Sequence, residues 1–172
     1  GQRADATYLE RIATATVINE AMVLYNAERY EEALGQYRSA LATPAGEQMR
    51  VLNGVYLTNW KLGRTAEAER AFGRVVAFGI AANELGVKFL FRPGSTLFPA
   101  EPQISGPYHA WLAQIGQRAS LRTACIDITG HTSKTGPEPL NERLSLVRAQ
   151  YIKQRLDTSA PALAKRTTAA GK

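Results

Sequence analysis

The sequence predicts an α+β fold in two parts, with antiparallel helix-pair repeats over residues 1–84 and a β-α-β-α(-β) arrangement, helices on one face of a sheet, over residues 85–172. Three observations point there. A helical apolar pattern recurs at an interval of about 35 residues in the first half. The apolar period then shortens to two from Val87 onward. The charge character changes at the same place: residues 1–84 carry 9 Lys+Arg and 10 Asp+Glu, a net of −1, while residues 85–172 carry 12 and 5, a net of +7.

In the first half, Leu9, Ile12 and Ala13, then Val17, Ile18, Ala21, Met22 and Tyr25, recur at helical spacing. Tyr30 to Leu34, Tyr37, Ala40 and Leu41 make the next apolar face, which Pro44 ends. A related block, Trp60 to Ala68 with Phe72 and Val75, repeats it. Small Ala33 and Ala68 let neighbouring helices approach, and Tyr37 and Phe72 fill the space beside them. With Tyr30-x-x-Ala33-x-x-x-Tyr37-x-x-Ala40, residues 15–80 resemble tetratricopeptide repeats, although Thr65 stands where an aromatic is usual and Gly54 is slightly out of register. That resemblance implies a groove for a protein partner. Two repeats leave apolar faces open, so cover is expected from a helix before residue 15 and from the second part.

Gly79 and Gly86 suggest a connector over 77–86. Val87, Phe89 and Phe91 then alternate as in a short strand, and Arg92-Pro93-Gly94-Ser95 reads as a turn. Tyr108, Trp111, Leu112 and Ile115 predict a helix over 106–118. Ala124, Ile126 and Ile128 predict a second strand ending at Gly130. A helix follows from Glu138, with Leu140, Leu144, Val147 and Tyr151 as its apolar stripe. Arg166 to Ala170 reads either as the start of a third strand, in which case this is an incomplete portion of a longer domain, or as a loose tail.

Composition excludes several classes. Hydrophobic content of 45% and charged content of 21% are those of a folded chain and not a disordered one. The longest apolar run, Val75 to Ala82, is far short of a helical span. The single cysteine, Cys125, has no partner in the chain and is expected to be a buried, inert thiol. Cys125 and His131 are too few for a metal site, and no nucleotide-binding loop is present, so neither a metal nor a cofactor is expected. Asp127, His131 and Ser133 invite a triad, but no nucleophile elbow accompanies them, so no enzyme is expected. His131 is read as shaping its loop and His109 as an ordinary helix residue. Arg118, Arg122, Arg143, Lys153, Arg155, Lys165 and Arg166 lack interleaved aromatics, so they read as a solvated basic face and not a nucleic-acid site.

The richest segment is Gly130-His131-Thr132-Ser133-Lys134-Thr135-Gly136-Pro137. Glycines bracketing short polar residues let the backbone present N–H groups, and the next helix adds its positive end. Asn141, Leu144 and Arg148 share one side of that helix, and an arginine there can form a two-pronged bond to a carboxylate.

With the Phe89-x-Phe91 strand, Gly130-His131-Thr132, Asn141 and Leu144-Ser145-x-x-Arg148-Ala149, residues 87–156 resemble the OmpA-like peptidoglycan-binding domain. The resemblance implies a Gram-negative envelope protein of the periplasm, associated with the outer membrane or wall, tethered to a membrane only by sequence outside this one. It implies non-catalytic capture of the diaminopimelate of a stem peptide. An arginine matching Arg148 takes the carboxylate, and Thr132, Ser133 and Asn141 shape the pocket. The family places an aspartate against the amine where this chain has Ser133. Losing that charge weakens the grip by about tenfold or more. Ser133 with backbone carbonyls can hold the amine, Glu138 can replace the aspartate, or the domain binds another carboxylate or no wall polymer. The alternative is therefore a protein–protein scaffold of an envelope assembly that no longer binds peptidoglycan.

Overall fold

The computed structural model describes residues 2–172, which fall into two compact units meeting between Leu85 and Gly86. The first holds four helices: α1 (Gln2–Asn26), α2 (Tyr30–Leu41), α3 (Met49–Lys61) and α4 (Thr65–Ala82), with a 3-10 turn at Pro44–Gly46. Each packs on the next in sequence. The second holds a one-turn helix α5 (Pro102–Ser105), then α6 (Tyr108–Ser120), β1 (Ile126–Gly130), α7 (Glu138–Ser159), a 3-10 turn at Pro161–Leu163, and β2 (Thr167–Gly171).

The repeat in the first unit is visible in its hydrogen bonds. The turn from α1 to α2 uses Ala27 N–H to Val23 O, Glu28 to Tyr25, Arg29 to Leu24 and Ala33 to Arg29. The turn from α3 to α4 uses Leu62 to Thr58, Gly63 to Trp60, Arg64 to Asn59 and Ala68 to Arg64, each pair 35 residues later. Glu28 and Gly63 occupy the same left-handed corner, at φ 60° and 71°. A glutamate there is strained where the glycine is not. Arg64 of the second hairpin forms an ion pair with Glu31 of the first. Such an exposed pair contributes little beyond registration.

Ile18, Ala21, Ala33, Tyr37, Ala40 and Val51 form one core cluster of this unit. Burying a side chain such as Ile18 contributes about 2 kcal/mol. Gly54 has a specific reason to lack a side chain: a Cβ there would lie 2.4 Å from the Tyr37 ring. Gly54→Ala must push a buried aromatic aside, and it should lower the stability of the helical unit by about 2 kcal/mol, read by chemical denaturation. An unchanged midpoint would show that the ring moves freely.

Two expectations change here. α1 is one continuous helix, so no separate helix before residue 15 covers the repeats. Residues 2–13 contain no breaker, and Leu9, Ile12 and Met22 are exposed on it, with Thr14, Ile18 and Ala21 buried. Gly79 is not in a connector either. α4 runs past it to left-handed Asn83, and the missing Cβ at Gly79 makes room for Leu85, 3.0 Å away.

In the second unit, β1 and β2 pair in parallel, Ile126 opposite Thr167 through Gly130 opposite Gly171. The tail is thus a strand. Residues 87–91, expected as a strand, belong to no regular element. Leu90 N–H donates to the Tyr108 hydroxyl at 2.9 Å. Phe89 packs edge-on to Tyr108 and Trp111, and Phe91 edge-on to Tyr151. The alternation records half-buried alternate side chains, which an aromatic cluster satisfies as well as a sheet does.

The apolar stripe of α7 is also displaced. Ser145, Ala149, Ile152 and Leu156 are buried, whereas Leu140 is 64% exposed and Val147 37% exposed. The cause is close approach to the sheet. A Cβ on Gly130 would fall 1.7 Å from Ser145 O, and one on Gly171 2.4 Å from Ser145 Oγ. Only the small residues of α7 fit against two strand-ending glycines. Cys125 is exposed, not buried, because it alternates outward between Ala124 and Ile126.

Candidate functional site at the end of the parallel strands

Parallel strands put their C-terminal ends at one edge, where β1 runs into residues 131–136 and then α7. Gly136, at φ 94°, makes the last corner, a conformation only glycine adopts readily. Pro137 precedes α7, and its carbonyl accepts the N–H groups of Leu140 and Asn141 at 3.2 Å. Glu138, in the first turn, lies where a negative charge favours the helix dipole.

Arg148 is the organising side chain. Its Nε–H donates to Ser95 O at 2.9 Å, Nη2 to Arg92 O at 3.0 Å, and Nη1 to His131 O at 3.3 Å. Its guanidinium lies 5.2 Å from the centre of the Phe91 ring. One arginine thus ties the 92–95 turn to the end of β1. Partial burial lowers its pKa from the ordinary value, yet a guanidinium keeps its charge at any working pH. Of its five N–H donors three are used, leaving one on each terminal nitrogen.

Ser133 and Asn141 meet at Thr135. The Ser133 and Thr135 hydroxyls are 2.8 Å apart, and Asn141 Nδ2 donates to Thr135 O at 3.1 Å. Thr132 is half-buried in the same loop, and Ser133 and Glu138 are exposed. Asn141 and Ser133 are therefore brought together through Thr135, while Arg148 joins the loop through His131. His131 does shape the site, but through its carbonyl.

Sequence reasoning missed two contributors. Thr135 stood inside the polar run without a role. The carbonyls of Arg92 and Ser95 lie in a turn that was legible, but nothing in the spacing linked it to Arg148. The imagined triad is not assembled: Ser133 pairs with Thr135, and Asp127 accepts the Thr168 hydroxyl at 2.5 Å.

The loop offers a fixed cation with free donors, two hydroxyls and a carboxamide beside a positive helix end. That set suits a small anionic group such as a carboxylate. Among the described residues, no helix is long and apolar enough to cross a membrane.

No family model and no solved structure matches the chain. A stretch of 54 residues, 31% of the chain, is 43% identical to the Outer membrane protein Omp38 from each of two strains of Acinetobacter baumannii. The match spans 15% of the length of those proteins, so the chain is similar to a segment of a bacterial outer membrane protein.

Proposed function

We propose that the chain is a non-catalytic adaptor of the cell envelope, located in the periplasm and associated with the outer membrane or wall. Its second unit binds the peptidoglycan stem peptide, and its helical repeats bind a protein partner. The carrying observation is Arg148, held rigidly by three carbonyls with two donors still unused. A preorganised guanidinium loses little entropy on meeting a carboxylate, which is how such a group binds in water. Thr132, Ser133 and Asn141 line the loop beside it. The similarity to a segment of an outer membrane protein supports the envelope placement.

A second reading has its own support. Ser133 carries no charge for the amine of diaminopimelate, and its hydroxyl is engaged by Thr135. A chain that has lost wall binding would serve as a protein–protein scaffold.

Retention of the purified chain on sacculi, with release by free diaminopimelate, separates the two. The adaptor predicts retention of the wild type and about tenfold tighter binding by Ser133→Asp, since a charged partner for the amine replaces a neutral one. If neither protein is retained, the adaptor reading fails and the scaffold remains.

A further inference from the structure

At the opposite edge of the sheet both strands begin, and there the surface differs. Arg166 O accepts the N–H of Ile126 at 2.8 Å, which places the start of β2 beside the start of β1. Arg166 Nη1 donates to Ala124 O at 2.9 Å, to Ala119 O at 3.4 Å and to Arg122 O. This ties residues 165–166 to the turn that follows α6. Arg118, Arg122, Lys165 and Arg166 are thereby gathered at one end of the unit. No carboxylate occurs along residues 117–125 or 158–166. The two nearest acids are occupied: Asp157 pairs with Lys153 and accepts from Thr167, and Asp127 accepts from Thr168. One of the carbonyls ending α6, Ala119 O, which would repel an anion, is bonded by Arg166.

Leu121, the C-cap of α6, lies between Arg118 and Arg122 in the sequence. It is 81% exposed, the most exposed large apolar side chain among the described residues. A cation cluster alone is an ordinary solvated face. A largely exposed apolar side chain beside such cations is what an interface of anionic headgroups over hydrocarbon accommodates.

We propose that this end of the second unit docks on an anionic phospholipid surface, with Arg118, Arg122, Lys165 and Arg166 at the headgroups and Leu121 entering the acyl boundary. Nucleic acid fits less well. Bases need an aromatic platform, and Phe89, Phe98, Tyr108, Trp111 and Tyr151 are spent on one another in the core cluster. The docking end lies a full strand length from the Arg148 loop, about 16 Å at the rise of a strand, so both surfaces can be used at once.

The test is co-sedimentation of the full chain with vesicles mixing phosphatidylglycerol and phosphatidylcholine, against pure phosphatidylcholine. Binding should require the anionic lipid and weaken with salt. Arg122→Gln with Lys165→Gln should weaken it about 25-fold, at about fivefold for each cation removed. Leu121→Gln should weaken it by about tenfold without altering the melting temperature, because the side chain is exposed in the free protein. Equal binding to neutral vesicles, or variants that bind like the wild type, overturns the proposal. So does displacement by duplex DNA that Leu121→Gln leaves unaffected, which would assign the cluster to nucleic acid. Sacculus retention is read separately, so failure here leaves the Arg148 reading intact.

Discussion

Replacing Gly130 by alanine is expected to prevent the second unit from folding. The added Cβ would sit 1.7 Å from Ser145 O and 2.6 Å from its carbonyl carbon, both main-chain atoms in the middle of α7. No rotamer change relieves such a contact, so either the helix or the strand must move. Moving α7 outward uncovers Ala149, Ile152 and Leu156, which supply its buried face. It also breaks the pairing of Gly130 with Gly171 at the end of β2. Overpacking of this kind usually costs about 1–3 kcal/mol where side chains can yield. Against a backbone it should exceed about 4 kcal/mol, a large share of a small domain's stability. Far-ultraviolet circular dichroism and denaturant titration read this directly. A cooperative transition near the wild-type midpoint would mean that α7 and the sheet are farther apart than described.

Arg148→Ala should have the second largest effect, and it should appear in two readouts. Three carbonyls lose a charged donor, and the 92–95 turn loses its tie to β1. Hydrogen bonds to charged groups contribute about 1.5–3 kcal/mol each, but these carbonyls are near solvent and water will replace part of the loss. A net destabilisation of about 2 kcal/mol is expected. Sacculus retention should also fall by more than tenfold at a temperature where the variant remains folded. Arg148→Lys separates the two roles. It keeps the charge but loses the planar fork, so it should recover part of the retention and little of the stability. Wild-type retention by Arg148→Ala would remove Arg148 from the binding site, whatever happened to stability.

These predictions give the Gly130 and Leu144-Ser145-x-x-Arg148-Ala149 signature a physical division. Gly130, Ser145 and Ala149 are there so that a helix and two strands can touch. Arg148 is there partly to hold a turn in place. Only Arg148 and the 131–136 loop also enter the proposed carboxylate site. The pattern in these residues therefore speaks first to packing and less directly to binding. Ser133 lies in the exposed loop, so its identity bears on the proposed ligand and little on the packing.

The sequence by itself determined the elements whose periodicity has one interpretation. The 35-residue repeat, the helix around Tyr108–Ile115 and the strand ending at Gly130 were all legible, because helical spacing and turn residues act locally. The polar loop and Arg148 stood out as a candidate site because residue type limits what a guanidinium or a bracketed loop can bind. Tertiary structure decided which face of α7 is buried, since Leu144 and Tyr151 offered the greasier stripe and two distant glycines selected Ser145 and Ala149 instead. It also decided that Phe89 and Phe91 join aromatic rings and no strand, and that Arg148 spends three donors on carbonyls, two of them more than fifty residues away. The physical reason is common to all three. Alternation and amphipathicity state that a side chain needs a partner, whereas the identity of that partner depends on how closely two backbones approach, which only the assembled fold fixes.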